Sequence, residues 1–235
     1  MRAPLTLAAA AAAATLAGAS PASAQTLTEG HVDYAARLVD GRLRSLIKDG
    51  TRTGAPVWRE PAAVTFHVAD AARVTIPASA TFLGRPGDTV WALPEVQRAG
   101  VLWAGWNTEE LSGAQVDGPV SWRLDAVDGP GDVTLFQSGV FGEPDVLFRS
   151  ADGLPDTRTV PLGTHAHGNW VFSHAGAYRL TFTMSARLPG GATTQDTQTL
   201  PVTVGATPTP TPGAPGPPGD GGGGCGTGGA GGTGG

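Results

Sequence analysis

Five histidines occur in the 235-residue chain. Three of them fall in two short polar clusters, Gly30-His31-Val32-Asp33 and Thr164-His165-Ala166-His167-Gly168-Asn169-Trp170. In extended backbone, residues two apart share a face, so His165 and His167 point one way with Asn169, while Ala166, Gly168 and Trp170 point the other. The same spacing aligns His31 with Asp33. Two adjacent imidazoles, joined by a third imidazole and a carboxylate from a neighbouring strand, make a four-ligand N/O set suited to Zn²⁺, or with added waters to a harder divalent ion. A solvated polar patch on a strand has the same spacing, so the pattern alone leaves both readings open. His67, on the polar side of an alternating run, and His174, in the turn Ser173-His174-Ala175-Gly176, read as surface residues.

No catalytic constellation accompanies these clusters. The chain has no Gly-x-Ser-x-Gly elbow, no phosphate loop and no His-Glu-x-x-His helix. Ser173 beside His174 is adjacency without triad geometry. Glu109-Glu110, Asp125, Asp128 and Asp132 read as acidic turns and rims, so a non-enzyme is expected. The six tryptophans are a second resource, because an indole face on a β-sandwich can stack against a sugar ring. Trp122 and Trp170 sit on apolar strand faces and are expected in the core. Trp103 and Trp106 cannot both alternate inward, so one of them lines a pocket or is partly exposed. The net charge is −5 and Lys48 is the sole lysine, which leaves no basic face for nucleic acid. The one cysteine, Cys225, lies in a glycine run, so residues 25–205 cannot hold a disulfide or a thiolate-bound metal.

The elements that must carry these side chains read as strands. Asp-Gly pairs at 40–41, 49–50, 117–118, 128–129 and 152–153 signal turns. Between them apolar residues alternate: Val64, Phe66 and Val68; Val120, Trp122, Leu124 and Ala126; Tyr178, Leu180, Phe182 and Met184. Residues 32–48 also fit a helical stripe, and Asp40-Gly41 in their middle favours a β-hairpin. The expected fold is all-β, an antiparallel β-sandwich of the immunoglobulin or fibronectin type, with a last hairpin over 169–204. A closed barrel is the structural alternative.

The two ends differ from this body. Residues 1–24 read as a signal peptide, with Met1-Arg2, an apolar stretch over 5–19 and Ala22-Ser23-Ala24 before the cut. The apolar stretch is short for a membrane span, so the mature chain is expected to begin at Gln25, outside the cytoplasm, with no transmembrane segment. Residues 206–235 read as a disordered Pro/Thr/Gly stalk, in which Cys225 is a spacer thiol or an attachment point. Residues 25–205 are left as the folded domain.

With these motifs in view, the chain resembles the surface-anchored repeat domain of wall proteins in high-GC Gram-positive bacteria, also called choice-of-anchor M. The resemblance covers about residues 28–205. It rests on Gly30-His31-Val32-Asp33, Gly87-Asp88-Thr89-Val90-Trp91-Ala92-Leu93-Pro94, Leu102-Trp103-Ala104-Gly105-Trp106, the Gly129-Pro130-Gly131 turn and, above all, Thr164 to Phe172 leading into Gly176-Ala177-Tyr178-Arg179-Leu180-Thr181-Phe182. It implies a non-enzymatic module at the cell wall, associated with an ABC importer whose solute-binding protein resembles zinc and manganese binders. The implied role is to receive a substrate and pass it to that importer. By position, His31, Asp33, His165 and His167 become the ligand-contacting set for a divalent ion, Zn²⁺ or Mn²⁺. The chain departs from the family pattern at Arg44-Ser45-Leu46-Ile47-Lys48, where relatives have further histidine or acidic residues, and at its end, which lacks the usual anchor. A structural or adhesive wall module, glycan-binding through Trp103 or Trp106, is the alternative expectation.

Overall fold

The computed structural model describes residues 24–52, 54–139 and 142–206. The signal-peptide reading, the stalk reading and Cys225 therefore lie outside the described residues, save for Ala24 and Ala206. Within them run sixteen strands: β1 Gln25–Leu27, β2 Gly30–Val39, β3 Arg42–Gly50, β4 Val57–Arg59, β5 Val64–Val68, β6 Arg73–Thr75, β7 Thr89–Leu93, β8 Leu102–Asn107, β9 Val120–Asp128, β10 Val133–Ser138, β11 Pro144–Arg149, β12 Asp156–Val160, β13 His165–His167, β14 Asn169–Phe172, β15 Gly176–Arg187 and β16 Thr193–Val204. The protein is all-β and sandwich-like, as its alternation predicts, and no described helix reaches seven residues. No described helix is long and apolar enough to cross a membrane.

The strands form three sheets that pack together: β1-β5-β16-β15-β9-β12, β11-β10-β14-β7-β6 and β13-β8-β2-β3-β4. The pairs β1/β5, β5/β16 and β2/β8 are parallel, so the purely antiparallel expectation is corrected. Alternation reports which face of a strand is buried, not which strand lies beside it. Asp40-Gly41 does turn the chain, with φ of +50° and +75°. That is the geometry a two-residue hairpin loop needs to match the twist of β2 and β3.

Four local expectations are overturned. Asp49-Gly50 ends β3 instead of turning. The Asp49 carboxylate accepts from Thr51 N, Thr51 Oγ1 and Arg59 Nε at 3.0, 2.7 and 2.7 Å. Burial alone would raise its pKa, but these donors and the guanidinium charge outweigh burial and hold it below the usual carboxylate range. Ala126 is exposed because the β9/β15 register slips between Thr181 and Phe182, and a bulge reverses the alternation beyond it. His67 is buried, because β5 is an interior strand whose polar side is also covered. The last hairpin spans only β15 and β16, from Gly176 opposite Val204 to Arg187 opposite Thr193. Residues 169–172 instead pair with β10 and β7 in another sheet.

The core is aromatic at its centre. Trp122 of β9 is fully buried and meets Tyr34 of β2, Trp106 of β8, Phe148 of β11, Trp170 of β14 and Phe182 of β15 at ring separations of 4.8–6.2 Å. One side chain thus touches all three sheets. Trp106 is the inward member of the Trp103/Trp106 pair, and Trp103 is half-buried.

Candidate metal centre

The two histidine clusters meet at the β13 end of the third sheet, although their strands are not neighbours. β8 lies between β2 and β13. Asp33 is opposite Gly105 on one side and His167 is opposite Gly105 on the other. Side chains from the outer two strands can therefore converge only if the middle strand leaves room. A Cβ at Gly105 would lie 2.5 Å from the Ala166 carbonyl oxygen, 2.6 Å from Asp33 Oδ1 and 2.8 Å from His167 Cε1. Gly105 is thus the floor of the site. Glycine in a strand interior is a mark of such close approach, and this was the available sequence signal for it.

His31, Asp33, His165 and His167 each offer one ligand atom, and these atoms all lie within 4.8 Å of one another. His31 Nε2 is 3.1 Å from His165 Nε2 and 3.2 Å from Asp33 Oδ1. His165 Nε2 is 3.3 Å from Asp33 Oδ2, and His167 Nε2 is 3.9 Å from Asp33 Oδ1. A tetrahedral zinc site with bonds of about 2.0–2.1 Å places its donors roughly 3.3 Å apart, so the donor spacing fits the ion. The set is graded in depth: the side chains of Asp33 and His167 are 0% and 10% exposed, those of His31 and His165 26% and 35%.

Burial and the surrounding groups prepare these ligands. His167 is pushed down to about 4, chiefly by burial. The Asp33 carboxylate opposes that shift, and His31 and His165 add to it. Its imidazole is consequently neutral at physiological pH, as a metal ligand must be. Asp33 Oδ1 and both His167 ring nitrogens lack a hydrogen bond of good geometry within the protein, with the Ala104 backbone contributing weakly at His167. Buried polar atoms without partners are costly, and a cation among the four ligands would satisfy Asp33 Oδ1 and His167 Nε2 together. One proton at most fits between the facing Nε2 atoms of His31 and His165, whereas a cation can engage both.

Outer residues that the sequence reading assigns no role at the site complete the arrangement. Asn107, fully buried at the end of β8, donates from Nδ2 to Asp33 Oδ2 at 3.3 Å and to Glu109 Oε2 at 2.7 Å. Glu109, expected as a rim carboxylate, lies 3.6 Å from His165 Nδ1 and 3.5 Å from Lys48 Nζ. The Asn107 hydrogen bond, aided by His165 and Lys48, holds the Glu109 carboxyl below its usual range. A carboxylate behind a ligating imidazole fixes its tautomer and orientation. Asn169, expected beside the histidines, instead starts β14 and accepts from Glu95 N through Oδ1 at 3.0 Å. His174 is exposed as expected.

In class, this is a cluster of three imidazoles and one carboxylate on a β-sheet that could hold a metal ion. Comparison with protein-family models, with curated proteins and with solved structures finds no match.

Proposed function

We propose that the protein is a non-catalytic binding module for a divalent transition-metal ion, Zn²⁺ before Mn²⁺, working outside the cytoplasm as the capturing partner of an ABC importer. The observation that carries the metal reading is the convergence of three Nε2 atoms on a fully buried carboxylate with unused acceptor capacity. An imidazole-rich set favours zinc over manganese, which prefers oxygen donors and higher coordination. Four protein ligands fill a tetrahedron, and catalytic zinc sites keep one position open, so the set supports equilibrium binding without covalent chemistry. The graded depth supports capture and release past His31 and His165. The importer and the cell wall rest on the resemblance to surface-anchored repeat domains. The glycan reading finds less support, since one face of the half-buried Trp103 lies against His167.

Thermal unfolding tests this. The full chain, stripped with chelator and then given zinc at a hundredfold excess over Kd, should gain about 2.7 kcal/mol, a rise of roughly 5–10 °C in Tm. A His165→Ala/His167→Ala double variant should show no rise. An identical Tm with and without zinc in the unaltered chain would leave the cluster a polar patch and favour a structural wall module.

A further inference from the structure

His167 is held differently from the other imidazoles. A ligating histidine is ordinarily oriented by a hydrogen bond on the ring nitrogen that faces away from the ion, and Glu109 stands near that position for His165. Neither nitrogen of His167 has a hydrogen bond of good geometry, and the Ala104 backbone contributes only weakly to the ring. Its ring instead lies flat on the indole of Trp103, with centroids 3.7 Å apart and planes 9° from parallel. Trp103 is itself fixed, because its Nε1 donates to the Glu95 carbonyl at 2.9 Å. The Glu95 carboxylate in turn accepts from Ser138 N and Asn169 Nδ2 at 2.9 and 3.3 Å. The indole is thus anchored to β10 and β14 of the second sheet while its face meets a ligand of the third. His31, opposite Trp103 in the β2/β8 register, approaches the same indole at 5.0 Å and 45°.

We propose that Trp103 is a positioning residue for metal binding, setting the ring plane of His167 chiefly by stacking, where a hydrogen bond would ordinarily do so. The inference rests on the metal-binding reading above. Stacking suits the task in two ways. A flat contact removes rotation about the ring's long axis, the freedom that would swing Nε2 away from Asp33. Binding a cation at Nε2 also draws electron density from the imidazole, and an electron-poor ring is attracted more strongly to the negative face of an indole. The stack therefore tightens in the loaded state. It also makes Trp103 an optical reporter, since its emission is coupled to a ring that changes its electronic state on binding.

Zinc titration of the full chain, in competition with a chelating dye, tests this in the unaltered protein, Trp103→Phe and Trp103→Leu. Phe keeps an aromatic face, and Leu keeps only bulk. Trp103→Leu should bind zinc about 10–100-fold more weakly, the usual cost of losing an outer orienting group, and Trp103→Phe should stay close to the unaltered protein. Zinc should change tryptophan emission in the unaltered chain, and Trp103→Phe should lack that change while still binding. Equal affinity in Trp103→Leu, or an equal loss in Phe and Leu, overturns the stacking role. Should Trp103→Leu fail to fold, the emission comparison decides, because a full zinc-induced change persisting in Trp103→Phe overturns it. Failure of the unaltered chain to bind zinc removes the metal reading and this inference together, whereas binding that ignores residue 103 removes only the inference.

Discussion

The neutrality of His167 has a consequence for stability that is separate from any ion. An imidazole that titrates near 6.5 in the unfolded chain and near 4 in the folded one leaves the unfolded state holding more protons between those values. Stability therefore rises with pH across that window and is lost as pH falls from about 6.5 toward 4. The loss attributable to this residue reaches about 1–3 kcal/mol at the acid end. Denaturant melts of the chelator-treated protein at pH 7 and pH 4.5 should show that decline, and His167→Gln, which does not titrate, should reduce it. An equal acid sensitivity in His167→Gln would place the titrating group elsewhere. The members of the cluster were legible in the sequence because the period of two is a local property: His31 with Asp33, and His165 with His167, share a face in any strand. The helpers were not. Trp103, Asn107 and Glu109 lie against members of the cluster 56 to 74 positions away, and nothing local to them announces it.

Strand β8 shows where local reading stops. Its own pattern identifies a strand and correctly says that Trp103 and Trp106 cannot both point inward. Its place between β2 and β13 depends on a parallel pairing reached through a long crossover, and short-range periodicity carries no information about that. The first hairpin, by contrast, was legible at its turn, because Asp40-Gly41 decides between a helical stripe and a hairpin and sets the register of β2 against β3, whereas Asp49-Gly50 reads as a second turn but ends β3. Gly105 is the residue on which the two sides of β8 depend. Gly105→Ala should abolish zinc-induced stabilisation, because the added methyl would occupy the space between Asp33 Oδ1 and His167 Cε1. It should also destabilise the metal-free protein by about 1–3 kcal/mol, as overpacking does. Isothermal titration together with a melt of the chelated variant separates the two effects, and zinc binding at unaltered affinity would show that the floor can yield.

Trp122 joins the three sheets, so its loss should be felt by all of them at once. Trp122→Ala should cost about 3–5 kcal/mol, a fall in Tm of roughly 10 °C or more. Near- and far-ultraviolet circular dichroism should lose their signals in one coincident transition. Separate transitions would show that one sheet melts independently. The all-β class followed from alternation, but the number of sheets and their mixed pairing did not, because those depend on packing between strands far apart in the chain. That same distance governs how an ion acts on the molecule. His31 and His165 are 134 positions apart, and the four ligands meet only once β2, β8 and β13 lie side by side. An unfolded chain offers the ion two weak, separate pairs. On the proposed metal reading, zinc would have little purchase on the search for the fold and would act after the sheet is complete, by slowing its opening. Such an ion would work as a clock: its free concentration around the molecule would set how long each finished copy survives.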